Sequence, residues 1–105
     1  MPGCGSQFTS GAGGESSATA AGRSAHSSYQ LALGWGGNGA WFNRAIPGTS
    51  LRPDAINWTQ RIVAELKPSN PSAISSGWRQ VTRYKDYLEE LTGQPWTAQL
   101  DVYSP

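Results

Sequence analysis

The chain has 105 residues, 37% of them apolar with five tryptophans, and a formal net charge of +1, which suffices for one small domain with a modest core. Its single cysteine, Cys4, excludes an internal disulfide and any multi-cysteine metal site, zinc fingers included. No apolar run reaches the length of a membrane helix, and the N-terminus lacks the basic start and apolar block of a signal peptide, so a soluble chain with no membrane partner is expected.

Residues 1–28 are dominated by Gly, Ser, Ala and Thr, with Phe8 the only large apolar side chain, and read as a leader or linker. The folding unit is then expected at residues 29–105. A helix is predicted over Ser24–Leu33, stopped by Gly34. The glycine-rich turn 34–39 leads into a first strand, Ala40–Ile46, which Pro47-Gly48 ends.

Pro53–Trp58 and Arg61–Lys67 read as the two strands of a hairpin, closed by a polar turn and stopped by Pro68. Side chains alternate across a strand, so Ile62, Ala64 and Leu66 share one face and Val63, Glu65 and Lys67 the other. A long helix is predicted over Ser72–Thr92, entered through Asn70 and Pro71 and closed by Gly93. Its apolar stripe is expected at Ile74, Trp78, Val81, Tyr84, Leu88 and Leu91, with Arg79, Arg83, Asp86 and Glu90 opposite. Trp96–Tyr103 alternates as a half-buried strand. The expected order is helix, strand, strand, strand, helix, strand: an α/β domain with a small mixed sheet and flanking helices.

Charge is unevenly placed. All eight basic residues lie between positions 16 and 85, where the only acids are Asp54 and Glu65, a balance of +6. A basic segment interrupted by two carboxylates suits a phosphate-binding surface built around a metal, although such charges can equally be scattered solvated side chains. Metal-assisted phosphodiester cleavage needs carboxylates to hold Mg²⁺ and benefits from a lysine that orients water and offsets developing charge. Asp54, at the head of one hairpin strand, with Glu65 and Lys67 on one face of its partner, can converge on one ion. Arg44, Arg52 and Arg61 are the expected nucleic-acid contacts, Arg52 alternatively flanking a turn. His26, the only histidine, is expected to be a helix residue or a phosphate contact rather than a ligand.

Pro53-Asp54 followed by Glu65-Leu66-Lys67 resembles the PD-(D/E)xK signature of restriction-endonuclease-like nucleases, and the order of elements agrees with that core. Gln80 and Tyr84 resemble the QxxxY element of one branch; about 40° apart on a helical wheel, both can lean toward the sheet. Residues 46–103 further resemble the C-terminal nuclease domains of bacterial polymorphic toxins of the Rhs and type VI secretion kind, with weaker support from Gly22-Arg23 and His26. The resemblance implies a restriction-endonuclease-like fold and an endonuclease dependent on Mg²⁺ or Mn²⁺. In it Asp54 and Glu65 bind metal, Lys67 assists catalysis, and Gln80 and Tyr84 order the site. It also implies a DNase joined to a larger delivery polypeptide, secreted by a contact-dependent system, acting in the target-cell cytoplasm and neutralised by an immunity protein. The chain departs from several members in its short N-terminal helix. A non-catalytic structural or interaction module of a phage or secretion apparatus is the competing reading.

Overall fold

The computed structural model describes residues 17–105, with side chains from residue 20 onward. Cys4, Phe8 and Glu15 lie outside the described residues, and with them the first part of the expected leader. The elements follow the expected order: α1 (Ser17–Leu33), β1 (Ala40–Phe42), β2 (Ala55–Asn57), β3 (Ile62–Pro68), α2 (Pro71–Thr92) and β4 (Thr97–Tyr103).

The helix expected from Ser24 begins instead at Ser17, so residues 17–28 of the Gly/Ser-rich stretch are helical and α1 runs for 17 residues. Composition misled here because Ala18-Thr19-Ala20-Ala21 offers fair helix propensity, while the stripe that fixes the helix, Ala25, Tyr29 and Leu33, starts later and packs on Ala64 and Leu66. Gly22 has a specific use: a Cβ there would meet Tyr103 Oη at 2.8 Å, so glycine lets α1 approach the end of β4.

The four strands form one mixed sheet in the order β1-β2-β3-β4, the first two pairings antiparallel and the last parallel. A parallel pair needs a crossover, and α2 provides it. The first strand is shorter than expected. At Asn43 the backbone turns left-handed (φ 53°), and Ile46, expected to close the strand, is fully buried in a loop where its N–H donates to Leu51 O at 2.8 Å. Arg61 (φ 59°) makes the β2–β3 turn, and the Asn57 side chain accepts from Gln60 N at 2.8 Å within it.

β3 is covered on both faces, as its central place in the sheet requires. Ala64 and Leu66 meet α1 with Ala55 and Tyr29, whereas Val63 packs with Val81, Tyr84 and Leu88 of α2. The α2 side is completed by three tryptophans in edge-to-face contact, Trp41 on Trp58 and Trp58 on Trp96, with centroids 5.3 and 5.4 Å apart.

α2 is capped as its flanks predict. Asn70 Oδ1 accepts from Ala73 N at 2.8 Å, Pro71 fills the first turn, and left-handed Gly93 donates to Glu89 O. Its buried line is Gly77, Val81, Tyr84 and Leu88. Trp78 and Leu91, expected on that stripe, are about half exposed. The cause is Gly77: a Cβ there would lie 2.8 Å from both Lys67 Cγ and Leu100 Cδ1, so the helix turns its glycine to the sheet and rotates Trp78 outward. Val102, which alternation sets on one face of β4 with Trp96, Ala98 and Leu100, is likewise half exposed, while Asp101 and Tyr103 on the other face lie under α1.

Candidate active site

Asp54 precedes β2 by one residue, and the pairing of Ala55 with Ala64 sets it opposite Glu65. Two crossed hydrogen bonds pin the carboxylates. Asp54 N donates to Glu65 Oε1 at 2.8 Å, and Leu66 N donates to Asp54 Oδ2 at 2.8 Å. Each acid spends one oxygen on the backbone, which leaves Asp54 Oδ1 and Glu65 Oε2 without a backbone hydrogen bond. Lys67 Nζ stands 3.9 Å from Glu65 Oε2. The three residues expected to form the catalytic core are therefore together.

Glu65 is 4% exposed, so it is not a solvated side chain on an open strand face. Burial, and next the Asp54 carboxylate, push Glu65 up to about 7, against the lowering pull of the Asp54 N–H, Lys67 and His26. A carboxylate held this way is short of positive charge. Tyr84 senses the same pair: burial, then Glu65 and Asp54, raise its hydroxyl above the ordinary range. Gln80, one turn earlier, has its side-chain oxygen buried without a hydrogen-bond partner. Both residues of the expected helix element thus lie on the sheet side of α2, and one of them presents an unused acceptor.

His26 reaches the site from α1. Its Nδ1 donates to Gly22 O at 2.9 Å, since a carbonyl can only accept, and its Nε2 is 3.4 Å from Asp54 Oδ2. The ring also meets Tyr103 edge-on at 6.0 Å. His26 was expected to be a helix residue or a phosphate contact rather than a ligand, and the resemblance gave it weaker support together with Gly22-Arg23. Tyr29, buried one turn on, was not singled out at all. Its hydroxyl donates to Asp101 Oδ2 and, at 3.5 Å, to Glu65 O, and it holds α1 against the sheet.

The three arginines expected to touch nucleic acid lie in different places. Arg52 Nη1 donates to Asn43 O at 3.2 Å, on the rim next to Asp54. Arg44 stacks its guanidinium 3.9 Å over the Trp41 ring. Arg61 is at the opposite end of the hairpin, its Nε donating to Pro95 O at 3.1 Å, and the fold does not bring it to the carboxylates.

Among the described residues no three His, Cys, Asp or Glu side chains converge as a ready-made metal cage. A Mg²⁺ ion does not require one, because it keeps several waters and commonly takes one or two carboxylates plus substrate phosphate. The paired carboxylates and the raised proton affinity of Glu65 fit such an ion.

A mixed sheet with a carboxylate hairpin and a lysine two residues after the second acid, flanked by α1 and α2, defines a restriction-endonuclease-like domain. A family model described as restriction endonuclease fold toxin 9 matches residues 14–103, and the chain belongs to that family. No curated protein and no solved structure matches it. Among the described residues, no helix is long and apolar enough to cross a membrane.

Proposed function

We propose that the chain is a metal-dependent endodeoxyribonuclease toxin domain that hydrolyses phosphodiester bonds in the DNA of a competing cell. The observation that carries this reading is the crossed pinning of Asp54 and Glu65 with Lys67 Nζ beside them. Asp54 and Glu65 would hold Mg²⁺ or Mn²⁺, which when bound polarises the phosphoryl oxygen and lowers the pKa of a water. Lys67 orients the attacking water and offsets the charge that builds on the phosphorus oxygens. Gln80 accepts a hydrogen bond from that water through its unpartnered oxygen, and Tyr84 walls the site from α2. His26 steadies Asp54 through the same oxygen that Leu66 N holds, in the way that groups behind a ligand tune a metal site. Arg52 grips a flanking phosphate from the rim, with Arg44 further along; Arg61 acts only on a substrate long enough to reach the turn.

In its setting, the domain rides on a larger Rhs or type VI delivery polypeptide, enters the target-cell cytoplasm and is silenced in the producer by an immunity protein. The toxin family supports this, and the basic residues around two acids fit a polyanionic target.

The test is incubation of the purified chain with DNA and with RNA, in Mg²⁺, in Mn²⁺ and in excess chelator. DNA degradation that requires the metal is expected. Inertness on every substrate with every metal would sink the enzymatic reading, and RNA cleavage without DNA cleavage would change the substrate class.

A further inference from the structure

A cleft of about 490 Å³ opens beside Asp54, between α1 and the end of β1. Its walls include His26, Ser27 and Gln30 from α1 and Phe42 and Asn43 from the β1 side, with Asp54 at the boundary to the catalytic pair. The chemistry of this lining differs from that of the site. Among the described residues neither lysine nor arginine lines the cleft, and the guanidinium of Arg52 is held on Asn43 O. A phosphate would find no lysine or arginine inside, and His26 there is already engaged by Gly22 O and Asp54. A flat, neutral, hydrogen-bonding group would find two carboxamides, Gln30 and Asn43, both exposed and neither with a hydrogen-bond partner for its side chain among the described residues.

Carboxamides pair with base edges through one donor and one acceptor, and aromatic rings receive base faces. Phe42 offers such a ring. It is half-buried and stacked on Trp35 at 6.2 Å with a 29° interplanar angle, so the wall is rigid. Asn43 is fixed relative to the catalytic acid as well, because its N–H donates to Asp54 O at 3.0 Å while its left-handed backbone turns the residue out of the strand. A base and its own phosphate are one sugar apart, so a nucleotide whose phosphate lies at Asp54 brings its base to this cleft.

We infer that the cleft is a nucleobase subsite, in which the unstacked base next to the scissile phosphate is read by Gln30 and Asn43 against Phe42. The inference rests on the nuclease reading of the adjoining carboxylates. It means that the substrate presents an unpaired base at that position, by single-strandedness, fraying or flipping, and that cleavage favours particular bases there.

Two variants isolate the carboxamides: Gln30→Ala, and Asn43→Gly, which keeps the positive φ and removes only the side chain. Cleavage ends are mapped on a random-sequence single-stranded DNA pool in Mg²⁺. The wild type is expected to show a bias of about tenfold for one base at one position flanking the cut, the worth of a good bidentate contact. In either variant the bias shrinks several-fold while total cleavage stays close to wild type. A flat wild-type distribution, or a bias that both variants keep, overturns the inference. A second readout does not need catalysis: binding of a labelled oligothymidylate, and of an abasic chain of equal length, by fluorescence anisotropy in Ca²⁺. The wild type should prefer the chain with bases, and the variants should lose most of that preference. If the wild type binds this way yet never cleaves, the subsite stands and the nuclease reading falls; if it binds both chains equally, the subsite falls whatever the cleavage result.

Discussion

Glu65 is where the competing demands of the site meet. Its folded-state affinity for a proton is raised from 4.5 to about 7, so between those values the folded chain keeps a proton that the unfolded chain has lost. By linkage, this group's contribution to stability is fullest below about pH 4.5 and falls as pH rises to 7 and beyond. In chelator, urea denaturation should therefore give a wild-type stability that declines from pH 5 to pH 8 relative to Glu65→Gln, in which Oε1 still accepts from Asp54 N but nothing ionises. Saturating Mg²⁺ should remove or reverse the difference. Parallel pH profiles for the two proteins would show that Glu65 does not carry the strain. Lys67 makes the complementary prediction. Lys67→Met keeps the aliphatic stem against Gly77 and deletes the ammonium, and single-turnover cleavage should slow by about 10²–10³-fold with little change in unfolding midpoint, as for loss of one charge-stabilising donor.

At the scale of elements, the approach of α2 to β3 depends on Gly77. In a helix interior, Gly→Ala gains about 1 kcal/mol of intrinsic propensity, but here the new methyl meets Lys67 Cγ and Leu100 at 2.8 Å. The two effects nearly offset in stability and do not offset in function, since the Lys67 stem must move. Gly77→Ala is expected to unfold within about 1 kcal/mol of wild type and to cut more than about tenfold slower; full activity in that variant would show that Lys67 has slack. The hairpin, the long helix and the Glu65/Lys67 face of β3 were legible because alternation, caps and stops fell where a period-2 strand and a capped helix place them, and the nearness of Asp54, Glu65 and Lys67 followed. The side of α2 was less legible. Trp78 fits the helical period as well as Gly77 does, and only the close packing against Lys67 decides between them. The same holds for Val102, since a strand edge covered by a helix on one side cannot be told from its mirror by alternation alone.

Across the whole molecule the weak partner is α1. The Tyr29 hydroxyl, the close approach at Gly22, and Ala25 and Leu33 hold it to the sheet, and its outer face is exposed. Native-state hydrogen exchange should protect α2 and β3 more than α1, and Tyr29→Phe should cost about 1–2 kcal/mol while speeding exchange along α1 selectively. Uniform protection would mean that α1 and the sheet unfold as one unit. This helix also accounts for the part of the site that the sequence concealed. His26 and Tyr29 sit in a Gly/Ser/Ala-rich stretch with little apolar pattern of its own, and their value appears only once α1 lies across the end of β4, a contact more than seventy residues away in sequence.

Everything proposed for the molecule turns on Asp54, which the fold places opposite Glu65 and beside His26. The direct measurement is degradation of supercoiled plasmid by wild-type and Asp54→Ala protein of equal near-UV circular dichroism, each with Mg²⁺ and with excess chelator. Nicking and degradation by the wild type in Mg²⁺, with at least about a 10³-fold loss in the variant and in chelator, is the predicted result. Equal degradation by both proteins, or undiminished degradation by the wild type in chelator, would contradict it.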